Sequence, residues 1–222
     1  MKIITAIGTF LLAAAASSPA AAEETGPIQV KLLGTAVLTD GSITRVGTDV
    51  VGLPANLQTK SNDNVVPTVA IEYFLSDSVS VETICCITQH DVDATTGLPG
   101  AELVSDAKVI PATVTLKYHF PVGGAKPYVG VGPTYFLWVD SQPGAATIPL
   151  GVTRQTLSDE LGLVVQGGID VPVGDRGLAI ALDAKRYFVS TTARWYADQA
   201  LAIQTKHKLD PWVLSAGLAW RF

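Results

Sequence analysis

Between residues 110 and 120 hydrophobic and polar side chains alternate: Ile110, Ala112, Val114, Leu116, Tyr118 and Phe120 share one face, and Pro111, Thr113, Thr115, Lys117 and His119 the other. A period of two is that of a β-strand, whose successive side chains point to opposite sides. The alternation recurs over residues 28–38, 66–74, 79–88, 127–139, 160–171, 178–189 and 208–222. These segments and residues 110–120 predict eight strands, each near the ~9–11 residues a tilted strand needs to cross a bilayer. Tight turns rich in Gly, Pro, Asp and Ser join strands two to three (75–78), four to five (121–126) and six to seven (172–177). The remaining connections, 39–65, 89–109, 140–159 and 190–207, are long and read as loops. Short turns at one end, long loops at the other and an even strand number predict an all-β, eight-stranded antiparallel up-and-down transmembrane β-barrel.

Alternation alone does not say which face is inside, because a soluble barrel has the same period with its apolar side chains inward. Volume decides between them. In the last segment the bulky row is Trp212, Leu214, Ala216, Leu218, Trp220 and Phe222, and the slim row is Val213, Ser215, Gly217, Ala219 and Arg221. Eight strands enclose room for little more than packed side chains, so the slim row fits the bore and the bulky row belongs in lipid. Aromatic residues fall where interfacial girdles are expected: Tyr73, Phe74, Tyr118, Phe120, Tyr128, Trp220 and Phe222 towards the turn end, Phe136 and Trp138 towards the loop end.

The segment before the first strand changes the picture of where the chain goes. Lys2, an apolar run over residues 3–16 and the small residues Ala20, Ala21 and Ala22 predict a secretory signal peptide over residues 1–22, leaving residues 23–222 as the barrel. The apolar run is too short to cross a bilayer comfortably as a helix. Composition agrees with export to a membrane: 48% of residues are hydrophobic and the formal charge is −5. An acidic chain has no basic surface for gripping phosphate backbones, so nucleic acid is not an expected partner.

Three stretches carry a family resemblance. Residues 110–120 (IPATVTLKYHF), 126–135 (KPYVGVGPTY) and 209–222 (LDPWVLSAGLAWRF) resemble the outer-membrane protein W family (OmpW/AlkL), and the likeness extends, more weakly in the loops, over nearly the whole chain after residue 22. The resemblance implies an eight-stranded barrel in the outer membrane of a Gram-negative bacterium that takes up small hydrophobic molecules passively through an apolar outer mouth. It implies outer-membrane lipid and a small hydrophobic solute as partners. The terminal Trp220 and Phe222 resemble the signal read by the barrel-assembly machinery. Phe136, Leu137 and Trp138, with Leu150, Val152 and Leu157 in the third loop, are the candidates for lining that mouth.

If the bulky rows face lipid, the lumen receives Glu72, Glu82, Lys117, His119, Glu160, Asp170, Asp183, Lys185 and Arg221, together with Thr113, Thr115 and Gln166. Charges in so narrow a bore must pair or stay hydrated, so they read as a polar plug or, alternatively, an ion path. A hydrophobic solute stopped by a plug would leave sideways through the wall. Pro67, Pro111, Pro133 and Pro211 remove ladder donors and could loosen that wall, or simply mark bulges and strand ends. No spacing singles out a nucleophile for His90, His119 or His207. His90, Asp91 and Asp93 read as a solvated loop cluster, and Cys85 and Cys86 as packing residues on opposite faces. Neither a cofactor, a metal nor an enzymatic activity is expected. The competing reading is a closed structural or surface-receptor barrel; a lipid-modifying enzyme is a third.

Overall fold

The computed structural model describes residues 26–222 apart from residues 121 and 175, and the expected signal segment lies outside that range. The described residues form β1 (Ile28–Leu38), β2 (Ser42–Asp49), β3 (Gln58–Ser61), β4 (Asn64–Phe74), β5 (Val79–Cys85), β6 (Thr88–Thr96), β7 (Glu102–His119), β8 (Lys126–Pro143), β9 (Arg154–Leu157), β10 (Glu160–Pro172), β11 (Leu178–Phe188), β12 (Ser190–Ala197), β13 (Ala200–Lys208) and β14 (Trp212–Arg221). Eight of these close an antiparallel barrel in the order β1, β4, β5, β7, β8, β10, β11, β14 and back to β1. The first and last strands meet in unbroken register from Gln29 opposite Arg221 to Leu38 opposite Trp212.

The bulky rows face outward. Leu32, Leu161 and Leu218 are 63%, 73% and 54% exposed, while Ala219 and Ser215 on the slim row of β14 are buried. Four aromatics leave the expected girdles: Phe74, Tyr128 and Phe136 lie on inward positions and are buried, and Trp138 turns inward to pack against apolar residues inside the wall. Tyr73, Tyr118, Phe120, Trp220 and Phe222 remain exposed at the turn end. Parity explains the difference, because Phe74 and Tyr73 are consecutive on β4 and only one can face lipid.

The four long connections are not loops. They form β2, β3, β6, β9, β12, β13 and the upper halves of β7 and β8, which raise the wall beyond the apolar belt as two sheets, β3-β6-β7-β8 and β2-β13-β12-β9. The alternation in these segments runs in opposite phase. On β12 the inward residues are Thr191, Ala193 and Trp195, and the outward ones Thr192, Arg194 and Tyr196. Above the membrane, water replaces lipid outside, so the apolar residues turn inward and polar ones cover the exterior. The inward residues Leu57, Val104, Ala193, Trp195 and Ile203 pack as one apolar cluster inside the extension. A second cluster, with Val37, Phe136, Val164, Tyr187 and Val213, lies in the upper barrel, and Trp138 packs against both.

Candidate functional site: an apolar mouth above an ionic floor

The lower barrel is filled by an ionic network. Lys117 Nζ lies 2.8 Å from Glu72 and 2.9 Å from Glu82; Lys31 Nζ lies 3.0 Å from Asp170 and 3.1 Å from Glu72; Lys185 Nζ lies 2.7 Å from Asp183 and 3.1 Å from Glu82. Neutral groups complete it. Gln166 Nε2 donates to Glu82 and Asp183, Tyr128 donates its hydroxyl proton to Asp183 at 2.8 Å, and His119 Nε2 is 2.9 Å from Glu72. The Tyr128 ring also underlies the Lys117 ammonium at 3.6 Å, a cation–π contact. Every charged member is buried. Three lysines facing four carboxylates with this density of hydrogen bonds satisfy the condition under which buried charge is tolerated.

Glycines make the room. Gly130 and Gly168 point inward at the network: a Cβ on Gly168 would stand 2.4 Å from the Tyr128 hydroxyl, and one on Gly130 3.0 Å from Cγ of Lys117.

Of the residues expected in the lumen, Glu72, Glu82, Lys117, His119, Asp170, Asp183 and Lys185 come together in this network, as does Gln166. Two stand apart. Glu160 sits at the upper end of β10, bonded to Ser158 Oγ, and Arg221 lies below the network with its guanidinium 3.7 Å from the Phe74 ring. Lys31, Gln29, Ser80 and Tyr128 belong to it and were missed. Lys31 and Gln29 share the inward parity of Leu33 and Val37, so alternation alone identifies them. Tyr128 was hidden by its aromatic character, which favoured a girdle.

Above this floor, hydroxyl pairs (Thr35 with Ser215, Thr113 with Thr134, both 2.8 Å) give way to an apolar cavity of about 110 Å³. Its walls include Leu33, Val37, Val109, Phe136, Tyr187 and Val213 below and Leu57, Val104, Trp138, Leu157, Trp195 and Ile203 above, with Lys185 at the base. Phe136, Trp138 and Leu157 of the expected mouth are among them. The other three are placed elsewhere: Leu137 is outward and exposed, Leu150 is exposed in the 3-10 turn Ile148–Leu150, and Val152 is buried in the upper cluster without lining the cavity. Leu137 is displaced by parity, since it lies between the inward Phe136 and Trp138 on β8.

His90 and His207 also line the cavity, both in the extension. His90 Nδ1 donates to the Asn62 carbonyl at 2.8 Å, and Nε2 faces Thr88 Oγ1 at 2.9 Å. His207 lies between Thr59 and Thr205 hydroxyls. Burial lowers the basicity of both rings, that of His207 to a pKa of about 4. No group of three metal-ligating side chains occurs among the described residues. Asp91, expected to be free in a loop, accepts the backbone N–H of Asp106.

At the level of the cavity the wall is interrupted. Pairing of β5 with β4 ends at Cys85 opposite Val69, its pairing with β7 ends at Ile84 opposite Thr113, and pairing resumes only at Thr88 opposite Val109. The unpaired Cys86 and Ile87 stand, by register, opposite Pro111 on one side and Pro67 on the other. Phe74 N–H points from β4 to the β1 side and His119 N–H from β7 to the β5 side. With alternation, the nitrogens of both prolines therefore face the Cys86–Ile87 segment, and neither carries a proton to donate. Thr68, Cys86 and Pro111 of this seam line the cavity, and Thr68 Oγ1 is buried without a partner. A second interruption at Pro133 is closed: the adjacent Gly132 lies so near β7 that a Cβ there would overlap the Val114 carbonyl oxygen at 1.9 Å.

The sequence profile of the OmpW family matches residues 24–222. Outer-membrane protein y4mB of Sinorhizobium fredii is 31% identical over 201 residues, covering 88% of this chain and 80% of that protein. Outer membrane protein W of Vibrio cholerae is 25% identical over 224 residues, covering 98% and 99% respectively. The crystal structure of OprG from Pseudomonas aeruginosa aligns with a TM-score of 0.76 at 24% identity, over 89% of this chain and 97% of that one. The structure of AlkL in lipid bilayers aligns with a TM-score of 0.69 at 20% identity, over 95% and 97%. Both structural likenesses concern the fold.

Proposed function

The chain belongs to the OmpW family and resides in the outer membrane, and from this premise we propose that it passes small hydrophobic molecules from the cell exterior into the membrane itself. The observation that carries the reading is the vertical change of chemistry inside one bore: an apolar cavity ending on a sealed ionic floor. An apolar solute gains free energy by leaving water for the cavity. Going further down would force it among seven buried charges without compensating hydrogen bonds, which is unfavourable. The seam at Cys86–Ile87 offers another way out. Opening it breaks few ladder bonds, because Pro67 and Pro111 have none to give there, and it leads to the acyl chains touching Val69 and Ile87.

The same features weigh against an ion path, because the network leaves the lower bore filled. They leave a closed surface-receptor barrel as the competing account, in which the cavity admits nothing. Uptake of a fluorescent hydrophobic solute by cells producing the protein separates the two. Filling the cavity with Val109→Trp and Val213→Trp is expected to lower the uptake rate about tenfold at equal amounts of folded barrel in the membrane. Uptake that equals that of cells lacking the protein, or that ignores the filled cavity, would leave the receptor account standing.

A further inference from the structure

The extension is electrically lopsided. The strands of the β2-β13-β12-β9 sheet carry Arg45, Arg154, Arg194, Lys206 and Lys208 against the single carboxylate Asp49. The opposite upper wall, formed by β3, β6 and the upper parts of β7 and β8, carries Lys60 and Lys108 against Asp91, Asp93, Glu102, Asp106 and Asp140. Arg45, Arg154, Arg194 and Lys206 have no carboxylate partner among the described residues, whereas Lys208 pairs with Asp210 at 2.9 Å.

Register brings these cations onto one outer face. Lys206 stands opposite both Arg45 and Thr192, Arg194 opposite Gln204 and Thr156, and Arg154 opposite Tyr196, whose ring it covers at 3.9 Å. Like charges directly opposite on neighbouring strands repel, so the Lys206–Arg45 pair costs free energy unless an anion lies over it. The sheet also rises directly out of the lipid-facing belt. β12 continues β11, whose outward Ile180, Leu182 and Phe188 are exposed, and Arg186 stands over Trp212 at 5.3 Å where the belt ends. A cationic face starting where the apolar surface stops lies at the height of lipid headgroups.

We propose that this face binds the phosphorylated headgroups of outer-leaflet lipid, with Arg45, Arg194 and Lys206 as the phosphate-holding residues. Arginine offers a phosphate paired N–H donors, and lysine adds a point charge. Occupied, the face would fix the barrel's depth and its rotational position against neighbouring lipid, with the acidic wall turned away. The inference stands on charge and register and does not depend on the proposed uptake.

The test uses the full barrel in phosphatidylcholine nanodiscs titrated with lipid A, a phosphorylated glycolipid. The triple variant Arg45→Gln, Arg194→Gln, Lys206→Gln is expected to bind at least tenfold more weakly than the unaltered protein, and raised salt should narrow that gap. The pair Lys60→Gln and Lys108→Gln on the other wall should stay within about twofold. Lipid A stripped of its phosphates should bind no better to the unaltered protein than to the triple variant. Equal binding by the triple variant, or equal binding of the stripped lipid, overturns the proposal. Equally tight binding of soluble heparin, lost in the same variant, would overturn it in favour of a polyanionic surface partner.

Discussion

Glu82 is the residue on which the floor turns: its two carboxylate oxygens serve Lys117, Lys185 and Gln166. Glu82→Gln takes from Lys117 and from Lys185 one of the two carboxylates each of them meets, and breaking a buried pair costs roughly 3–5 kcal/mol. Urea unfolding of the barrel in micelles should show a loss of that size, and a change below about 1 kcal/mol would mean that the network is hydrated rather than sealed. Most of this cluster was legible, because inward parity and the need of buried charges for partners both follow from sequence. What was illegible was which oxygen meets which ammonium, and that Tyr128 prefers a lysine over its phenol ring to a place at the lipid interface. Glu160 has the right parity but lies a level too high, which alternation does not record.

At the scale of elements, the eight spanning strands could be read because lipid outside and side chains inside impose one rule along each of them. The extension broke that rule. Its strands bury apolar residues inward and expose Thr, Arg and Lys, so the lipid-facing pattern vanishes and loops were expected where β12 and β13 stand. His207 on β13 makes this sheet sensitive to acid. Its uncharged ring is favoured in the fold, with a pKa near 4 against about 6.5 when free. The stabilisation is therefore complete above pH 6.5, shrinks as the pH falls towards 4, and is lost below it, by roughly 3 kcal/mol in all. The protection factors of the Thr205–Lys208 amides, corrected for the intrinsic pH dependence of exchange, should fall as the pH drops across that window and lose this dependence in His207→Gln. A flat profile between pH 7 and 4 would show that the ring is reached by water.

For the whole molecule the account joins three parts: a cavity that accepts apolar solutes, a floor that stops them, and a seam where the wall holds least firmly. The floor was expected as a polar plug and the cavity as an apolar mouth, but the seam was not visible as a unit in the sequence. The prolines were, but Pro133 and Pro211 looked the same as Pro67 and Pro111, and only the closed ladder tells which pair frames an unpaired segment at cavity height. The proposed sideways route can be tested by locking that seam. With Cys85 and Cys86 replaced by serine, Pro67→Cys and Ile87→Cys would place thiols on facing strands, and their disulfide can be closed and reopened in living cells. The account predicts that uptake of a hydrophobic solute falls to background when the bond is closed and returns on reduction, with the barrel folded throughout. Uptake that proceeds unchanged through the locked barrel would contradict it.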